Sequence, residues 1–140
     1  MRVRAAAAAG MIGAVGALLS ACARDGTTLR AGDVYVLVGA EGDGDNMAGV
    51  GFGGEVSMAG TCLGITLDGT TWTVVWPYGT KVVDRDPLTI DVPGQGRLSV
   101  GTALGGGGLQ LDVSRLPEGV DRIPAGCPTS FIFSWFPDHS

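Results

Sequence analysis

Carboxylates are the first groups in this 140-residue chain to consider for chemistry, and they fall in two clusters. Glu41, Asp43 and Asp45 alternate with Gly42, Gly44 and Asn46, which is how a calcium loop begins. An EF-hand loop then needs glycine at its sixth position and a bidentate glutamate at its twelfth. Counted from Glu41 these are Asn46 and Phe52, so the segment reads as a solvated acidic turn and no metal site is assigned. Asp84, Asp86 and Asp91 form the second cluster. Two carboxylates at a suitable separation can hydrolyse a glycosidic bond. Here they share a turn-like stretch with Arg85 and Pro87, so a charged loop is the reading preferred.

Nucleophilic catalysis lacks its parts. The sequence holds no G-x-S-x-G, and its one histidine, His139, lies where fraying is expected. A serine or cysteine nucleophile needs a base held in place by a third group. Gly49-Val50-Gly51-Phe52-Gly53-Gly54 satisfies G-x-G-x-x-G literally. Nucleotide binding also needs a strand before that motif and a helix opening on it, because the helix N-terminus holds the pyrophosphate. A strand pattern follows here instead, so neither a nucleotide nor another cofactor is expected. No catalytic residue is assigned.

The strongest chemical signal is a thiol. Arg2 and Arg4 precede an uncharged apolar stretch over residues 5–19, which ends in Leu19-Ser20-Ala21-Cys22. The stretch is shorter than the roughly 20 residues a spanning helix needs, and its profile is that of an export signal. Leu19, Ser20, Ala21 and Cys22 resemble the lipobox of bacterial lipoproteins. The resemblance implies cleavage between Ala21 and Cys22 and a diacylglyceryl thioether on Cys22. It thus implies a protein held by lipid at the outer face of the cell membrane.

Export bears on the other two cysteines. Cys62 and Cys127 are an even pair in an oxidising compartment, so a disulfide between them is expected, with two separate buried thiols as the alternative. Charge narrows the partners. The formal net charge is −5, and loss of residues 1–21 leaves 7 basic against 14 acidic side chains, or −7. Such a surface repels phosphate backbones, which argues against nucleic acid. Nor does it offer a basic patch for membrane attachment.

The elements that would position these groups read as strands and turns. Residues 23–32 read as a polar tether. Val34–Val38 is a β-branched run, residues 50–58 alternate, and Cys62–Leu67 and Thr70–Trp76 flank Asp68-Gly69, a type I′ hairpin signal. Pro77-Tyr78-Gly79 ends that strand. Leu88–Val92 and residues 97–100 flank a Pro93-Gly94-Gln95-Gly96 turn and form a second hairpin. Gly105 to Gly108 read as a break, 109–113 as a short strand, 114–126 as a loop with room for one helical turn, and 130–136 as a closing strand. The expectation is an all-β domain, a small disulfide-linked OB-like barrel with a β-sandwich as the alternative. A signal-peptide helix precedes it. The divisions are signal peptide 1–21, lipidated cysteine and tether 22–32, and β domain 33–140.

From Gly60 onward, Cys62-Leu63, Val75-Trp76-Pro77-Tyr78-Gly79-Thr80, Gly96-Arg97-Leu98-Ser99-Val100-Gly101, Gly105-Gly106-Gly107 and Cys127-Pro128 are similar to small lipoproteins of high-GC Gram-positive bacteria. That resemblance supports fold and compartment and implies no activity. The expected function is a non-catalytic binding module facing an envelope protein or glycan. The alternatives are a small enzyme acting on envelope glycan and a structural accessory subunit. The nearest approach to a binding rim is Tyr78, with Trp76 as the last inward residue beside it.

Overall fold

The computed structural model describes residues 24–42 and 50–136. Leu19, Ser20, Ala21 and Cys22, most of the acidic loop, and His139 lie outside them. Ten strands follow in order: β1 Thr27–Ala31, β2 Val34–Val38, β3 Val50–Ala59, β4 Cys62–Leu67, β5 Thr70–Trp76, β6 Lys81–Arg85, β7 Leu88–Val92, β8 Gly96–Ser99, β9 Ala103–Leu111 and β10 Ile132–Phe136.

β3, β4 and β5 form an antiparallel meander. Its β4–β5 turn is Asp68-Gly69, both at positive φ (49° and 80°), as a type I′ turn requires. β10 then pairs parallel with β5 and antiparallel with β9, and β9 pairs antiparallel with β3. The ring order is therefore β3–β4–β5–β10–β9, first, second, third, fifth and fourth in chain order. This is a closed five-stranded barrel of OB type, the first of the two expected architectures. At one end β4 and β5 diverge and β2 inserts between them, with Tyr35 opposite Cys62 and Leu37 and Val38 opposite Val75 and Trp76. β1 lies antiparallel along β2 as an outer flap.

Alternation decides what each strand buries. Val36, Val38, Val56, Leu63, Ile65, Val74, Trp76, Phe133 and Trp135 fill the barrel. Each Val, Leu or Ile so buried contributes about 1.5–3 kcal/mol. Ile90, Val92 and Leu98 join the same core from a separate sheet, β6–β7–β8, which lies over one end of the barrel as a lid. So narrow a barrel has no room for a side chain at every inward position. Phe133 takes the space beside Gly108, where a Cβ would come within 1.9 Å of its ring.

A second, smaller core lies outside the ring. Leu37, Cys62, Val75 and Ile132 point outward and are covered by Val120 and Cys127, with Leu116 and Ile123 at the margin. These last four belong to the arm that joins β9 to β10. Cys62 and Cys127 are disulfide-bonded with Cα atoms 5.4 Å apart, which clamps the arm to the start of β4.

Three readings of the sequence are corrected. The tether over 22–32 is not one along its length, because β1 occupies Thr27–Ala31 and pairs with β2 in full register. Low apolar content hid the strand: only Leu29 and Ala31 turn inward, and tertiary pairing supplies the rest. The four-glycine segment is not a break but the middle of β9, where Gly105 and Gly107 pair with Gly53 and Gly51. Glycine weakens a strand by entropy, and pairing on both sides offsets that cost here. The stretch holding Asp84 is strand β6 in its first half, not a loop throughout.

Candidate functional site

The arm of residues 112–131 begins with Asp112, whose carboxylate accepts from the Ser114 N–H at 3.0 Å and caps a single 3-10 turn, Val113–Arg115. That bond holds the Asp112 carboxyl below its ordinary range. Past the turn, Leu116 and Val120 drop into the outer core, and two short turns follow, with Val120 N–H donating to Pro117 and Cys127 N–H to Pro124. Thr61 fixes the far side: its N–H donates to Gly126 O, and its Oγ1–H to Ala125 O at 3.0 Å. Near the start of β1, Gly26 N–H donates to Glu118 O at 2.6 Å. The arm is thus tied at both margins.

Between the arm and the outward face of β1 and β2 lies a cleft of about 680 Å³, within the usual size range of small-molecule sites. Thr28 and Tyr35 form its floor, and Asp121, Arg122, Ile123 and Pro124 form its wall. Tyr35 is half-buried and packs against the outer core. The guanidinium of Arg30, directly opposite it on β1, lies 5.6 Å from its ring centroid, and Arg30 Nε–H donates to Gly32 O at 2.9 Å. The ring is therefore held from two directions. Asp121 and Arg122 are exposed neighbours of opposite charge, so one supplies acceptors and the other donors.

The residues singled out from sequence fall elsewhere. Trp76 is fully buried (0% exposed), edge-on to Trp135 at 5.6 Å, with its Nε1–H donating to Leu63 O. It points into the barrel as expected and is removed from the candidate rim. Tyr78 is half-buried in the turn leading to the lid and does not line the cleft. Asp84, Asp86 and Asp91 are exposed. Asp84 Oδ1 is already engaged by the N–H groups of Arg85 and Asp86, and Asp91 stands between Lys81 and Arg97 in register on β6 and β8. Glu41 faces back to Arg24, accepting from its N–H. No group of three or more potential metal-ligating side chains occurs among the described residues, nor any helix long and apolar enough to cross a membrane.

Tyr35, Asp121 and Arg122 escaped the sequence reading. Tyr35 sits inside an apolar run that reads as core on both faces, and the arm has no periodicity. The available signal was Cys127: a disulfide to Cys62 must draw the preceding residues across whatever β4 faces.

Comparison with protein families, with characterised proteins and with solved structures finds no match to this chain.

Proposed function

We propose that the protein is a lipid-anchored, non-catalytic binding module at the outer face of the cell membrane. One observation carries the binding part: a cleft of mixed polar and apolar lining between the β1–β2 flap and a disulfide-clamped arm. Its parts are held before any ligand arrives, so little ordering cost falls on binding. The β9–β10 connection is also a region that OB barrels use for ligands such as oligosaccharides. The anchoring part rests on Leu19-Ser20-Ala21-Cys22 and the charge profile before it. Because β1 begins at Thr27, little chain separates the anchor from the folded domain. From Cys22 to the fixed Gly26 is only four residues, at most about 14 Å of extended chain, so the lipid would hold the domain close against the bilayer.

The test is Cys22→Ser together with wild type, expressed in an actinobacterial host. Wild type is expected in the membrane fraction with its mature N-terminus at a diacylated Cys22 by mass spectrometry. The variant is expected to stay uncleaved at Ala21 and to carry no lipid. An unmodified Cys22 in the wild-type protein rejects the anchor.

A further inference from the structure

We propose that the cleft between the β1–β2 flap and the arm takes a sugar ring, with Tyr35 as its platform and the Asp121–Arg122 pair as its hydroxyl-reading edge. The inference rests on the binding-module reading above and adds the ligand class.

The composition of the cleft decides among ligand classes. An anion would need unopposed positive charge, and here Arg122 stands beside Asp121 on a domain of net negative charge. A cation would need unopposed carboxylates, and Asp121 has a guanidinium as its neighbour. A purely apolar ligand would make no use of either exposed charged group, and any part of it that covered them would cost desolvation. A neutral, polyhydroxylated ring escapes all three penalties. Each hydroxyl both donates and accepts, so one ring can give hydrogen bonds to the carboxylate and take them from the guanidinium. Arg30 already lies over the Tyr35 ring, so a pyranose would meet the part of the ring that lines the cleft, an apolar surface suited to its C–H groups. Ile123 and Pro124 provide the apolar wall, and Thr28 adds a hydroxyl on the floor.

Position argues the same way. The backbone at Tyr35 is fixed by its N–H donating to Thr61 O, and its ring packs between the outer core and the Arg30 guanidinium. Asp121 and Arg122 sit between Val120, which is buried, and Cys127, which is crosslinked. A floor and a polar edge carried on two separate anchored elements, with open space between them, is a geometry that can orient a ring.

The sugar could belong to a free glycan chain or to the head group of a glycolipid, and the arms of the experiment separate the two. Full-length protein in a non-glycosidic detergent is titrated with chitotetraose, maltotetraose and mannotetraose, and separately with inorganic phosphate, while backbone amide NMR shifts are followed. A parallel arm uses vesicles with and without monoglycosyl diacylglycerol. The expected result is saturable shifts at residues 28, 35 and 119–125 with at least one tetraose, or with the glycolipid vesicles alone if the source is a head group. Asp121→Ala and Arg122→Ala should each weaken that binding at least tenfold with an unchanged melting temperature. Asp86→Ala, remote from the cleft, should change nothing. Absence of saturable shifts with every sugar probe overturns the proposal, as does binding that both cleft variants leave intact. Saturable binding of phosphate alone in the cleft also overturns it, while leaving the binding-module reading standing.

Discussion

Gly119 and Gly26 meet backbone to backbone: a Cβ built on Gly119 would lie 1.9 Å from the Gly26 carbonyl oxygen. Gly119 also has φ of +90°, which a side chain resists. Gly119→Ala therefore faces a steric and a torsional obstacle at once. It should cost about 1–3 kcal/mol, and amide exchange at Gly26 and along β1 should quicken before that of the barrel. Unchanged exchange there would show that the arm does not hold the flap.

Trp72 and Trp76 lie on one face of β5 and should respond differently to phenylalanine. Trp76 Nε1–H is spent on Leu63 O, whereas Trp72 Nε1–H is buried with no acceptor among the described residues. Trp76→Phe removes a hydrogen bond and leaves a buried carbonyl short of a partner, at about 1–3 kcal/mol. Trp72→Phe removes an unpaired donor and keeps an aromatic ring edge-on to Phe131 and Phe133, so it should be close to neutral. Equal losses in urea denaturation would contradict the distinction.

Reduction of the Cys62–Cys127 bond should lower stability by about 2–4 kcal/mol. The loss should begin in the arm, whose buried residues are few, while the barrel keeps its strands. Far-UV circular dichroism is expected to persist in reductant at low denaturant, with exchange rising first over residues 116–127. Simultaneous loss of barrel and arm would mean that the crosslink supports the whole fold.

Asp112 gives a pH signature. Its folded carboxyl is held low by the Ser114 N–H and hydroxyl. A lowered folded value stabilises fully above the unfolded carboxylate pKa, about 4, and that contribution is lost as pH falls through the folded value. Melting temperatures of wild type and Asp112→Ala should therefore differ at neutral pH and converge in acid. A gap that stays constant through the acid range would assign the effect to packing instead.

The barrel was legible where alternation was strong. Ile65 against Trp72 and Val74 beside Trp76 announce a half-buried hairpin, and Asp68-Gly69 names its turn. What stayed hidden was whatever depends on a neighbour. β1 has one large inward side chain, and Gly105–Gly108 has none, so both become strands only because β2, β3 and β10 supply hydrogen bonds beside them. The cleft was hidden for the same reason. Its floor at Tyr35 and its wall at Asp121 and Arg122 are 86 residues apart in sequence, and only the clamped arm brings them together.

β10 is the keystone of the ring, and it is synthesised after the other four strands of that ring. Without it β5 and β9 each present an open edge, the kind of template on which chains aggregate. Synthesis alone therefore cannot produce a sealed barrel early, because the seam at Ile132 and Thr73 joins strands made far apart in time. Were the chain exported as proposed above, that delay would be useful. The chain would stay pliable until β10 had crossed, and only then could the ring lock.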